Sequence, residues 1–160
     1  LNWTYQGSRV KKGQRIVASL GASPMGYGLP AAVGIHYANK DSEIICIIGD
    51  GGIQMNIQEL QTIKFNRIPV KIFVMNNESL ANTRFPAVSM FGRSTGNDAA
   101  GGYGYPDFSA IAQAYGIESY VLDRNSDLVP TLRRVLDSPD PCLVDVKIDP
   151  EQFMLDTPLG

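Results

Sequence analysis

An α/β domain built on a mainly parallel sheet is the fold this sequence predicts, and two observations carry the prediction. Short β-rich apolar runs recur at Ile16 to Ser19, Ile44 to Ile48, Val70 to Met75, Tyr120 to Leu122 and Leu143 to Ile148. Segments with helical spacing lie between most of them. Continuous apolar runs alternating with helices describe a parallel sheet covered on both faces. The expectation is a single three-layer domain over all 160 residues, enough to bury a substantial core.

Each helix has its own local reason. Leu29 to Tyr37 carries Gly and Ala positions suited to close packing on a sheet. Asn56 to Phe65 places Asn56 as N-cap with Glu59 three residues later, the pattern of a capping box. Phe108 to Tyr115 follows Asp107, and Leu128 to Leu136 follows Asp127, each acid expected as the cap. Arg133 and Arg134 near the end of the last helix suit its dipole. Glu78 to Tyr105 resists the pattern: its periodicity is weak and its turn chemistry heavy, as in "GRSTGNDAAGGYGYPD". A stretch this long without elements of its own is expected to be a functional loop. Phe85, Phe91, Tyr103 and Tyr105 argue against a flexible linker.

Composition narrows the function. Hydrophobic residues make up 44%, charged residues 19%, and the net charge is -2, as in a soluble globular protein. No basic block is present, so a nucleic-acid footprint is absent. No apolar run approaches the about 20 residues of a membrane helix. Cys46 and Cys142 both lie in or beside apolar runs and read as small buried hydrophobes, which makes a reducing cytoplasm the expected compartment. Leu1-Asn2-Trp3 shows neither an initiator Met nor a secretion signal, so a domain cut from a longer chain, or a processed one, is expected.

The chemistry is expected where the strand "IICIIGDGG" ends. In open parallel sheets ligands bind beyond the carboxyl ends of strands. Glycines there let backbone N–H groups approach an anion. Asp50, set among Gly49, Gly51 and Gly52, would repel a bare phosphate, so a cation is the natural mediator. Magnesium favours oxygen ligands and is commonly held by a few protein groups plus substrate phosphates. The next apolar run ends in Asn76-Asn77, whose amide oxygens can accept the same ion. A tight turn with Asp50 in solvent, and Asn77 bracing the following turn, accounts for the same residues. The dinucleotide fingerprint fails, because Gly49-Asp50-Gly51 runs into Gly52-Ile53-Gln54, and the P-loop Lys-Ser/Thr pair is absent.

Taken together these motifs resemble the thiamine diphosphate enzymes. That family has a GDG followed, after some two dozen residues, by Asn-Asn; here Gly49-Asp50-Gly51 precedes Asn76-Asn77 by 24 residues. "PMGYGLPAAVG", Pro24 to Gly34, is similar to the acetolactate (acetohydroxyacid) synthase branch. "PDFSAIAQAYGI" and "PCLVDVKIDP" look like the closing helix and strand of its C-terminal cofactor domain. Ser23-Pro24-Met25-Gly26 stands where the synthases commonly have Gly-x-Met-Gly, and "ESLANTR" follows the Asn-Asn pair.

The resemblance implies site residues and partners. Asp50, the Asn77 side chain and the Ser79 carbonyl would hold magnesium. The N–H groups of Gly51 and Gly52, beside Gly49, would meet the diphosphate. Met25 would be the apolar wedge under the bent cofactor, the Ser23 carbonyl would hold its amino group, and Leu80, at a position more like the synthase branch than the decarboxylases, would be a cofactor-binding residue. The implied activity is decarboxylation and carboligation of a small 2-oxo acid, with a plain decarboxylase or a silent binding module as the alternatives. "FGRSTGND" is also similar to synthase-like enzymes of surface-sugar pathways, which leaves the substrate open. No catalytic residue is expected in this chain. The activating Glu belongs to a pyrimidine-binding domain of the same or a neighbouring subunit, and Glu59 and Glu78 do not take its place. The resemblance further implies a homo-oligomer, leaves room for FAD in a further domain, and makes this chain part of a longer or split enzyme that does not turn over alone.

Other residues invite weaker assignments. His36, the single histidine, reads as a partly exposed helix residue. Trp3 and Tyr5 could pack on a sheet edge or an interface. Arg84 and Arg93 could meet a substrate carboxylate, and Tyr103 and Tyr105 could either close over the site or anchor the loop.

Overall fold

The computed structural model describes residues 2–152. Helix α1 (Asn2–Gly7) is followed by an irregular segment, then α2 (Gly28–Ala38) and strand β1 (Ile45–Gly49). Next come α3 (Asp50–Gln54), α4 (Glu59–Phe65), β2 (Lys71–Asn76), α5 (Ala81–Phe91) and α6 (Phe108–Ala114). Strand β3 (Glu118–Leu122), α7 (Leu128–Asp137) and β4 (Cys142–Lys147) complete the order. The four strands form one parallel sheet in the order β1-β2-β4-β3. The α/β fold and the parallel sheet are as the sequence predicts.

The sheet works because its central strands are apolar on both sides. Ile72, Val74 and Leu143 join Leu29, Ile53, Leu60, Ile63 and Phe108 in one core, beneath α2, α3, α4 and α6. Phe73 and Val144, facing the other way, join Leu122, Cys142 and Val135 of α7. Each fully buried Leu, Ile or Phe contributes about 1.5–3 kcal/mol relative to exposure. Strand β1 lies at the edge and alternates: Cys46 and Ile48 are buried, Ile45 and Ile47 exposed. Burial pushes the Cys46 thiol up to about 12, and both cysteines are free, so they behave as small hydrophobes.

Four local expectations are corrected. Ile16 to Ser19 forms no strand, because it has no ladder partner among the described residues. Asn56 does not cap α4, which begins at Glu59 behind Gln58; its amide instead reaches across to donate to the Gly26 carbonyl at 3.1 Å. Asp127 makes no side-chain cap, because residues 125–127 form a 3-10 turn leading into α7. The long segment after β2 is not without structure: it contains α5, despite Pro86 inside the helix, ended by Gly92 in the left-handed region. Asp107 does cap α6, its Oδ1 accepting from the Ala110 N–H at 2.9 Å. Tyr5 is exposed, and the Trp3 side chain lies outside the described residues.

Register sets the position of the site. Gly49 is level with Met75, and Asn76 is level with Lys147. The chain therefore leaves β1, β2 and β4 side by side at one edge of the sheet.

Candidate functional site

Strand β1 passes into α3 without a loop, so Asp50 is the first residue past the sheet. Its side chain turns inward and is 3% exposed, not solvated as a plain turn residue would be. Oδ1 accepts from the Gly51 N–H at 2.7 Å and Oδ2 from the Ser79 N–H at 3.2 Å. Burial pushes the Asp50 carboxyl above its ordinary value. The amides of Gly51, Ser79 and Glu78 pull it down, and the neighbouring Asp145 charge raises it further. Among the described residues no Lys, Arg or His pairs with Asp50. A buried carboxylate served only by amides is the kind of group that calls for a cation.

The end of β2 brings the second half of the site. Asn76 is 1% exposed; its Oδ1 accepts from the Glu78 N–H at 3.2 Å, and Glu78 adopts a positive φ of 57°. That bend carries the half-buried Asn77 past the strand and returns Ser79 to Asp50. Ser79 is itself buried, and its Oγ has no hydrogen-bond partner among the described residues. A bridge between Ser79 and Asp98, with the Leu80 N–H donating to the Asn97 carbonyl at 2.7 Å, pulls the loop after α5 back over this turn.

Gly51 is the meeting point of the wall. A Cβ there would clash with Leu80 Cδ2 and lie 3.1 Å from Met25 Cε and 3.3 Å from Tyr103 Oη. Residues 25, 51, 80 and 103 thus converge on one spot. Met25 remains 52% exposed at its mouth. Gly26 next to it has φ +84°, and a Cβ would come within 2.6 Å of Met55 Cβ, so glycine is required on two counts. Gly52 packs on Ile48, whereas a Cβ on Gly49 would meet open space. Ser23 is exposed with φ 43°, and its hydroxyl donates to the Ser19 carbonyl at 3.2 Å.

Tyr103 and Tyr105 part company. Tyr103 Oη accepts from Gln54 Nε2 at 3.0 Å beside Gly51; burial, then the Asp50 charge, push its hydroxyl up to about 12. The Glu78 carboxylate raises the Tyr105 pKa, and the ring packs against the core as an anchor. Arg84 is committed to the chain itself: Nη1 pairs with Glu151 Oε1 at 2.7 Å and Nη2 donates to the Pro150 carbonyl at 2.6 Å. Arg93 is exposed in the loop. His36 is half-buried on α2, edge-on to Tyr37 and away from the strand ends. Glu59 lies in the first turn of α4.

Three residues at this edge were missed by reading the sequence: Gln54, Asp145 and Lys147. Asp145 is 2% exposed, donated to by Asn76 Nδ2 at 2.9 Å and paired with Lys147 Nζ at 2.8 Å. The signal was present, since an acid inside the run "CLVDVKI" is out of place in a buried strand.

Comparison with known proteins agrees with this geometry. Residues 1–146 match the family described as thiamine pyrophosphate enzyme, C-terminal TPP binding domain. The chain is 37% identical over 150 residues to the acetolactate synthase isozyme 1 large subunit of Escherichia coli (strain K12), covering 94% of this chain and 26% of that protein. It is 34% identical over 158 residues to acetolactate synthase 2, chloroplastic, of Zea mays, covering 96% and 25% respectively. The acetolactate synthase large subunit of Pyropia yezoensis is 35% identical over 146 residues, covering 91% and 24%. The chain thus spans about a quarter of the length of these curated relatives. No helix among the described residues is long and apolar enough to cross a membrane. A parallel sheet, an inward Asp50 at its carboxyl edge and a match over residues 1–146 lead to one conclusion: the chain belongs to the thiamine pyrophosphate enzymes, as a C-terminal TPP-binding domain of the acetolactate synthase-like kind.

Proposed function

We propose that this chain binds thiamine diphosphate through magnesium, as the cofactor domain of a 2-oxo acid decarboxylating carboligase. The observation that carries the proposal is Asp50, a buried carboxylate with amide donors but no cationic side chain among the described residues, tied to Ser79 at the neighbouring strand end. The donor set suits magnesium: one carboxylate, one amide oxygen from Asn77 and one carbonyl from Ser79, all oxygens. The orphan Ser79 Oγ and the crowded cradle at Gly51 fit a site that closes around a ligand. Gly51 and Gly52 supply N–H groups toward the diphosphate, with open space at Gly49 for its approach. Because the Gly51 N–H now serves Asp50, ligand binding has to share or replace that bond. Met25 and Leu80 form the apolar wall, and the Ser23 carbonyl holds the cofactor's amino group.

When bound, thiamine diphosphate supplies the centre that stabilises the carbanion left by loss of carbon dioxide from a 2-oxo acid. This chain's own residues hold and orient; none is positioned as the activating acid. That acid comes from a pyrimidine-binding domain of the same or a neighbouring subunit, so the domain alone does not turn over. A homo-oligomer in the cytoplasm, with a flavin in a further domain where one is used, completes the reading.

Isothermal titration of the intact protein with thiamine diphosphate, with and without magnesium, tests it. Strong metal-dependent binding is expected. Absence of any metal dependence would sink the reading, and binding without decarboxylation of any 2-oxo acid while the pyrimidine-binding domain is present would leave a silent module.

A further inference from the structure

Asp145 occupies the interior of β4, where apolar residues flank it, yet its two oxygens have separate tasks. Oδ1 accepts from Asn76 Nδ2 at 2.9 Å, and Oδ2 takes Lys147 Nζ at 2.8 Å. Register brings them together: Val74 lies opposite Asp145, so Asn76, two residues on, shares its face of the sheet. Stability does not explain the acid, because well-packed apolar residues commonly replace a buried ion pair at no loss.

Its acceptor chemistry does. An Asn amide can turn by half a rotation and exchange its oxygen with its nitrogen. An ionised carboxylate only accepts, so Asp145 admits only the NH2 end of Asn76. The amide oxygen is thereby aimed at the Glu78 N–H, which it receives at 3.2 Å. That bond holds Glu78 at φ 57°, a conformation that costs a non-glycine residue free energy unless its surroundings enforce it. The same bend delivers Ser79 to Asp50.

We propose that Asp145 is a positioning residue for the cation site. It selects the orientation of the Asn76 amide, which shapes residues 77–79 and so places the Asn77 side chain and the Ser79 carbonyl opposite Asp50. The inference rests on the magnesium reading above.

The test is the magnesium affinity of the intact protein at fixed thiamine diphosphate, measured by titration calorimetry. Asp145→Ala is expected to weaken it about 10–100-fold, the usual effect of losing a group that orients metal ligands. Asp145→Asn is nearly isosteric but presents an NH2 toward Asn76 once its one oxygen meets Lys147, so it should lose the selection and weaken affinity about as much as Asp145→Ala, which a merely space-filling role would not predict. Asn76→Ala removes the relay while leaving Asp145 with Lys147, and should reproduce the Asp145→Ala loss. Lys147→Met touches the other oxygen and should change affinity within about threefold, the scale of a half-exposed ion pair. Normal affinity in Asp145→Ala or Asn76→Ala, beside a wild type that binds, overturns this proposal and leaves the cofactor reading standing. Wild-type affinity in Asp145→Asn also overturns it. A wild type without magnesium-dependent binding overturns both.

Discussion

Buried charges sit at both ends of the sheet, and the protein treats them differently. At the amino end of β2, Lys71 is buried, and its ammonium donates to the Ser138 carbonyl at 2.6 Å and to the Asp140 carbonyl. Those carbonyls follow α7, so the lysine supplies a donor at the helix end, where the Asp140 carbonyl also accepts from Ser138 Oγ and Cys142 Sγ. At the carboxyl end Asp50 is equally buried but, among the described residues, receives only amides. Asp145 between them has its own cation in Lys147. Lys71 and Asp145 are charges satisfied by the chain; Asp50 is a charge left for something else. This contrast, more than burial alone, separates a structural ion from a binding one.

The contrast can be broken most directly at Asp50. Asp50→Ala should remove about 3–5 kcal/mol of magnesium-dependent cofactor binding, the scale of taking one member from a buried ion pair. Circular dichroism should show the domain still folded. Unchanged affinity by titration would make Asp50 a turn residue and end the comparison. Lys71→Met should do the reverse. Taking the donor from the Ser138 carbonyl should cost about 1–3 kcal/mol of stability by urea unfolding. Cofactor affinity should stay as in the wild type, and a drop there would mean the two ends are not separable.

The smallest effect sharpens the distinction through pH. Because burial raises the Asp50 pKa in the folded state, its ionisation opposes folding of the cofactor-free protein. That contribution is most favourable below the unfolded value and is lost as pH rises through the folded one. The loaded protein has the opposite sign, since the cation requires the carboxylate ionised. Melting temperatures with and without magnesium and thiamine diphosphate should therefore converge as pH falls from neutral through the raised Asp50 value. Asp50→Ala should flatten both trends.

Features set by neighbouring residues were legible in the sequence. The GDG turn at the end of β1 and the Asn-Asn pair at the end of β2 could be placed because strand and glycine patterns are local. Asp107 was readable as a cap for the same reason. Misreadings occurred where a distant group competed. Asn56 has the chemistry of a cap, but Gly26 offers its amide an acceptor 30 residues away. Ile16 to Ser19 has the composition of a strand but no neighbour to pair with among the described residues. Pro86 and the lack of an apolar stripe hid α5, whose buried residue is Ala81 alone.

By itself the sequence determined which segments would be strands at the centre of the sheet, which side of it would carry the site, and which oxygens could meet a cation. Those are matters of period, turn chemistry and residue type, all decided within a few positions. Only the tertiary structure decided that Asp50 faces inward without a counter-charge among the described residues, that Met25, Leu80 and Tyr103 converge on Gly51, and that Asn76 donates to Asp145 across 69 residues of chain. These depend on strand register and burial, and a hydrogen bond between parallel strands joins residues that no local pattern relates.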